Sequence, residues 1–277
     1  MIEALVIAAP ACAILTGAAT WFARTVRQAD TVNLVGATLT AALALSLAAI
    51  GVADAGDPHR GAWWVLDAAG GVFLAVIAVI GLLSALVAPA QLAASGRGLV
   101  TAARGRAMYY VAFYAFWAAL LLIPLVDNLG LAWLLVEATT GASALLVAYS
   151  GTRGALEAGW KYLVLTTFGL AVAMLGIIVL YVAIAPNGGA LGTLDWQSIA
   201  RAAPRLGDGP AVVAFVLIVA GLATKVGWAP VHNWLPDAHS EAPPAVSALL
   251  SAALLPTVIL VVWRVLTTLG PALAPGT

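Results

Sequence analysis

Eight times along this chain of 277 residues the sequence runs for about 20 positions almost without a charge. That is the length an α-helix needs to cross roughly 30 Å of hydrocarbon. The segments are 2–23, 31–53, 68–90, 108–126, 129–149, 160–184, 210–235 and 244–266. Without water to serve its peptide groups, a spanning segment must bond its own N–H and C=O groups as a helix or join a closed barrel. These runs are too long for barrel strands and lack their alternation. The expected fold is all-α: a polytopic membrane helix bundle of about eight transmembrane helices. The seventh should be discontinuous, because Gly227, Pro230 and Pro236 interrupt it.

Composition agrees, with 63% hydrophobic and 9% charged residues against about 25% charged in soluble domains. Lysine plus arginine equals aspartate plus glutamate at 12 each, so there is no basic surface for nucleic acid and no acidic tail. The partner implied is the lipid bilayer. The single cysteine, Cys12, lies in an apolar segment and can form neither an internal disulfide nor a cysteine metal cluster, so no bound redox cofactor is indicated. The opening MIEALVIAAPACAILTGAATWF lacks the positive n-region of a signal peptide and reads as a retained first helix.

Loop arginines set the orientation. Arg24, Arg27, Arg97, Arg104, Arg106 and Arg153 fall on one side; Arg60, Arg201, Arg205 and Arg264 fall on the other, with Asp54, Asp57, Asp127, Asp195 and Asp208. The first side is expected to be cytoplasmic, which puts the N-terminus outside. The one longer connection, 185–209, is rich in glycine and proline and too short for a domain. The ten tryptophans suggest interfacial belts, Trp63 and Trp64 lying beside a membrane edge.

A few ionisable groups stand inside this apolar frame. Lys225 lies within the seventh span, where an uncompensated lysine costs roughly 2.5–3.5 kcal/mol on translocon scales. Glu137 lies eight residues into the fifth span, ~12 Å deep at 1.5 Å per residue, and Lys225 falls near the same depth. Two readings follow. One is a structural ion pair that fixes packing; the other is a switchable pair, in which opening the contact leaves a buried amine that sheds its proton. His232 follows Lys225 by seven residues and would share its face if the helix were continuous. It reads either as a proton relay or as a cap for carbonyls freed at Pro230. Lys161, four residues after Glu157, reads either as a residue snorkelling to the interface with a helical ion pair or as a proton station.

Several residues have simpler readings. Asp127 and Asp67 are expected to cap the fifth and third helices, and Arg264 to anchor at an interface. Thr139, Thr140, Gly141, Ser143 and Ala144 are small residues behind Glu137 that permit close helix approach and could host water or polar bonds within a bundle. His232, Asp237, His239 and Glu241 match no zinc spacing, so no metal is expected.

Four ordered motifs carry a resemblance. They are VLDA before the third span, YYVAFYAFWAALLLIPLVDNLGLAWLLVEATTGASALLVAYS, EAGWKYLVLTTFG and GLATKVGWAPVHNWLPDAHSEAPPAVSALLS. Together, over roughly residues 60 to 266, they resemble the antiporter-like, proton-conducting membrane subunits shared by respiratory complex I, the multi-subunit sodium/proton antiporters and energy-converting hydrogenases. TKVG with HNWLPDAHSEAPPAVSALLS looks most like the antiporter-like subunit of hydrogenase-4-type complexes.

By that resemblance, Glu137 is the buried acidic switch, Lys225 the central lysine on the discontinuous helix, Lys161 a nearby basic residue and His232 the histidine past the break. It implies 1–107 as N-terminal transmembrane helices, 108–266 as half-channel helices four to eight, and 267–277 as a tail. It also implies partners: other membrane subunits (antiporter-like paralogues, a quinone-site or hydrogenase-anchoring subunit) and a peripheral redox arm, in a cell inner membrane, with no catalytic centre in this chain.

Two departures qualify the resemblance. Relatives commonly have about fourteen helices in two inverted halves, so this chain matches a first half and reads as a fragment or a product of a split or truncated gene. Many relatives also carry a lysine or histidine in mid-eighth helix, where Pro256 stands here. The rival readings are an autonomous cation/proton transporter and a non-conducting structural subunit.

Overall fold

The computed structural model describes residues 1–95, 102–185 and 193–273. It is a helix bundle, and among the described residues eight helical segments are long and apolar enough to cross a membrane. The helices are α1 (Ile2–Trp21), α2 (Val26–Ala53), α3 (Ala68–Ser95), α4 (Ala102–Leu122), α5 (Leu129–Val147) and α6 (Arg153–Ile184). They continue as α7 (Trp196–Ala202), α8 (Asp208–Val226), α9 (Trp234–Glu241), α10 (Pro244–Leu249) and α11 (Leu255–Leu273), the last two joined by a π turn over Leu250–Leu254. One short antiparallel hairpin, β1 (His59–Arg60) and β2 (Val65–Leu66), interrupts the all-helical pattern. Arg97 lies outside the described residues, as does most of the glycine-rich part of the 185–209 connection.

Several helices start earlier than the apolar runs, because local caps define where they begin. Thr25 accepts from the Gln28 amide at 3.2 Å and Thr152 from the Ala155 amide at 3.1 Å. Each thereby satisfies one of the unpaired N–H groups of a helix start. The sixth helix thus includes Glu157 and Lys161 in its first turns. The cap of α5 is Asn128, which accepts from the Leu131 amide at 3.0 Å. Asp127, expected in that role, instead pairs with Arg60 at 2.8 Å. Asp67 does cap α3, at 2.6 Å from the Gly70 amide.

Helix α4 forms the centre of the N-terminal part. Tyr109, Tyr110, Phe113, Tyr114, Phe116 and Trp117 on it are all fully buried; the polar tips of Tyr110, Tyr114 and Trp117 reach neighbouring helices, as buried Tyr and Trp require, whereas the Tyr109 hydroxyl has no hydrogen-bond partner among the described residues. Tyr114 donates to the Asn33 carbonyl at 2.7 Å, the Asn33 amide donates to the Ala85 carbonyl at 2.9 Å, and Trp117 donates to the Ile77 carbonyl at 3.2 Å. Arg106 and Tyr110 both bond Asp30. Trp117 and Trp234 therefore lie in the core and Trp64 and Trp196 are buried, so these four are not members of an interfacial belt.

Arg264 is likewise no interface anchor. It is buried on α11 and donates to both Asp67 oxygens, at 3.1 and 3.2 Å, and to the Pro124 carbonyl at 2.9 Å. This ties α11 to the start of α3 and to the turn between α4 and α5. Between α10 and α11 the helical path is unbroken, so Pro256 lies in its interior, and the π turn comes just before this proline, whose ring and missing N–H are incompatible with a regular helical turn.

Helices α6 and α8 approach closely. A Cβ at Gly169 would lie 1.8 Å from Thr224 Oγ1, and one at Gly221 would lie 2.4 Å from the Ala173 nitrogen. Only glycine fits, as in the small-residue interfaces of membrane bundles.

Candidate functional site

The seventh span ends sooner than its apolar run. Gly227 adopts φ +76°, and its amide and that of Trp228 both donate to the Ala223 carbonyl at 3.0 Å. This is the glycine-terminated cap in which a left-handed residue closes the last turn. Residues 228–233 are non-helical, with a cis bond at Ala229–Pro230, and α9 begins at Trp234. Pro236, expected to break the helix, instead sits in the first turn of α9, where a missing N–H costs nothing.

Lys225 is in the last turn of α8 and fully buried. Its Nζ donates to Thr140 Oγ1 on α5 at 2.7 Å and to the Tyr162 hydroxyl on α6. The Tyr162 hydroxyl also meets Ser143 Oγ at 2.7 Å. The lysine is thus held by hydroxyls from two other helices, which can each accept or donate. Trp234 packs on Tyr162, ring centres 4.8 Å apart, and donates to the Thr224 carbonyl at 2.7 Å. It serves a carbonyl freed at the end of α8.

The expected direct pair of Glu137 and Lys225 is absent from the ion pairs among the described residues. Glu137 is half-buried one turn before Thr140; its Oε1 accepts from Thr167 at 2.9 Å, and its buried Oε2 has no partner among the described residues. Its charge still bears on both Lys225 and Tyr162 through space. The two side chains therefore act on each other without direct contact.

His232 lies exposed in the non-helical segment rather than on the face of Lys225, and the carbonyl-capping role considered for it falls to Trp234. Lys161 is exposed and pairs with Glu157 at 2.7 Å, as its spacing suggested, and also with Asp237 at 3.0 Å. With Ser240 and Glu241 these residues line a polar cavity of about 190 Å³. Beyond the break, His239 is half-buried against Ser247 of α10 at 2.8 Å, and burial lowers its pKa from the ordinary histidine value. Among the described residues no cluster of three His, Cys, Asp or Glu side chains could hold a metal.

Sequence reasoning missed Tyr162 and Trp234, and gave Thr140 and Ser143 a role in close packing or polar bonds without naming Lys225 as their partner. The available signal was weak: Tyr162 follows Lys161 directly in an apolar run, so the two point to different faces of one helix.

A family model described as NADH:quinone oxidoreductase/Mrp antiporter, TM, matches residues 126–273. NADH-quinone oxidoreductase subunit N of Desulforudis audaxviator is 30% identical over 255 residues, 87% of this chain and 48% of that protein. A hydrogenase-4 component F homolog of Methylacidiphilum infernorum is 37% identical over 139 residues, 50% of this chain and 29% of that protein. The chain spans about half the length of these relatives or less. Among solved structures, a chain of the archaeal membrane-bound sulfane sulfur reductase, a respiratory membrane complex, superposes with a TM-score of 0.82 at 21% identity, covering 98% of this chain and 54% of that one.

Proposed function

Because this chain belongs to the NADH:quinone oxidoreductase/Mrp antiporter transmembrane family, we propose that it is a membrane subunit of a redox-driven ion-translocating complex. In this reading residues 108–266 form a proton half-channel in which Lys225 is the central station and Glu137 the acidic group that biases it. The observation that carries the reading is the environment of Lys225: a fully buried amine at the broken end of a span, bonded to hydroxyls and to no carboxylate among the described residues. A structural lysine in hydrocarbon is best neutralised by a direct counter-charge. Hydroxyls of Thr140, Tyr162 and Ser143 can instead exchange protons with it, while Glu137 acts at a distance whenever it is ionised. The switch is then a change of field and hydration around the lysine rather than the breaking of a salt bridge.

His232 and Lys161, both exposed, are proposed as the outer groups of the route. The proposed setting is a prokaryotic plasma membrane, with the N-terminus outside because Arg24, Arg27, Arg104, Arg106 and Arg153 gather on the opposite side. Partners are further membrane subunits and a peripheral arm holding the redox groups. The test is proton uptake during redox turnover by the assembled complex in sealed vesicles. Lys225→Ala should abolish uptake through this subunit; unchanged uptake per electron transferred would reject the half-channel.

A further inference from the structure

Away from the lysine site, α1 and α2 leave between them an apolar groove of about 640 Å³, with Ala8, Cys12 and Ala19 on one wall and Thr31, Gly36 and Leu43 on the other. Its only polar side chains are turned inward upon their own helices. Thr16 donates to the Cys12 carbonyl at 2.7 Å and Thr31 to the Arg27 carbonyl at 2.9 Å. From Ala8 to Ala19 the wall runs ~16 Å at 1.5 Å per residue, which is about half of a 30 Å hydrocarbon core, or one leaflet.

The end of the groove at the α1–α2 turn is strongly basic. Arg27 precedes Thr31 by one helical turn, Arg24 lies in the turn itself, and Arg104 stacks over the Trp21 ring at 3.5 Å. None of these three arginines enters an ion pair among the described residues. The acid nearest in sequence, Asp30, is taken by Arg106 and Tyr110. A leaflet-deep apolar channel that ends in uncompensated guanidinium groups has the form of one ligand: an acyl chain below an anionic phosphate. We propose that this groove is a specific site for an anionic phospholipid, its chain between α1 and α2 and its phosphate on Arg24 and Arg27, with Trp21 and Arg104 at the headgroup level.

The site is tested on the detergent-purified protein with its partner subunits, stripped of lipid and titrated with phosphatidylglycerol or phosphatidylcholine carrying identical diazirine-labelled chains. After photolysis the crosslinks are mapped by peptide mass spectrometry. Phosphatidylglycerol should label residues of α1 and α2 at lower concentration than phosphatidylcholine. Each arginine near an anionic headgroup contributes about a fivefold factor, so Arg24→Gln with Arg27→Gln should weaken phosphatidylglycerol labelling about 25-fold and leave phosphatidylcholine unchanged.

Ala11→Phe, which fills the groove, should remove labelling by both lipids; should that variant misfold, the exposed arginine pair decides alone. Equal labelling by the two lipids, or an unchanged preference in the arginine variant, would overturn the proposal. Loss of a partner subunit from the arginine variant with lipid preference intact would overturn it too, by showing the groove to be a protein interface. Inorganic phosphate in excess should not displace the lipid; displacement would reduce the site to a simple anion site.

Discussion

Removing the Tyr162 hydroxyl tests the hydroxyl cradle directly. In Tyr162→Phe the ring keeps its packing on Trp234, and two bonds disappear, one to Lys225 and one to Ser143. Ser143 keeps the Thr139 carbonyl at 2.5 Å and is not orphaned, so its loss should cost only about 0.6 kcal/mol, the average for interhelical bonds in a membrane protein. The bond from the lysine is of another class: hydrogen bonds to charged groups contribute about 1.5–3 kcal/mol. The sum is about 2–3.5 kcal/mol, dominated by Lys225.

The lysine's own contribution can be isolated by repeating Tyr162→Phe in a Lys225→Met background, where only the Ser143 part, about 0.6 kcal/mol, should remain. Thr140→Val removes the second acceptor, and because both serve one amine the double variant with Tyr162→Phe should depart from additivity by about 0.5–3 kcal/mol. Unfolding in detergent gives these energies, and proton uptake in vesicles gives the functional counterpart. Should Tyr162→Phe cost the same with and without Lys225, the lysine does not depend on the hydroxyls and the site is misassigned.

Three further outcomes follow from the fold. Arg264→Met leaves Asp67 and the Pro124 carbonyl without their shared partner and should destabilise the protein by about 3–5 kcal/mol, the range for breaking a buried pair, read by thermal unfolding in detergent. Gly227→Ala forces a side chain into the left-handed region, with its Cβ 2.5 Å from Leu235; the backbone part alone is about 1–2 kcal/mol, and proteolysis at residues 228–233 should accelerate. Asp195 caps α7, and although burial opposes its charge, bonds from Thr193 and Ser198 hold its pKa below the ordinary carboxylate value. Asp195→Ala should therefore cost about 0.5–2 kcal/mol at neutral pH. Since the folded pKa is depressed, that contribution exists above the unfolded pKa and fades as pH falls through the lowered one, so unfolding curves of the two proteins should converge in acid.

The sequence made the membrane bundle legible because hydrocarbon thickness leaves an unmistakable apolar length. It also marked Lys225, because a charge in a span is costly enough to need a reason. What it could not supply was azimuth. Each residue advances an α-helix by about 100°, so Glu137 and Lys225 can share a depth and still not touch, while Thr140, one turn on, does. Partners far apart in the chain were equally hidden: Arg264 looked like an interface anchor because Asp67, 197 residues away, was not yet beside it. Apolar runs also misplaced helix starts, since hydropathy detects the bilayer whereas Thr25 and Thr152 detect the helix. Pro236 misled for the opposite reason, a proline being harmless in a first turn.

The glycine contacts between α6 and α8 bear on how such a site could be gated. With Gly169 against Thr224 and Gly221 against Ala173, the two backbones mesh with no slack for sliding or rotation. Tyr162 and Lys225 ride on these two helices and so form the stator of the site. In the proposed transport cycle, change would come from the other contributors: α5, which carries Glu137, Thr140 and Ser143, and the short chain between Gly227 and Trp234. A small roll of α5 would withdraw one acceptor and move one carboxylate at the same stroke, leaving the amine where it is while altering what it faces.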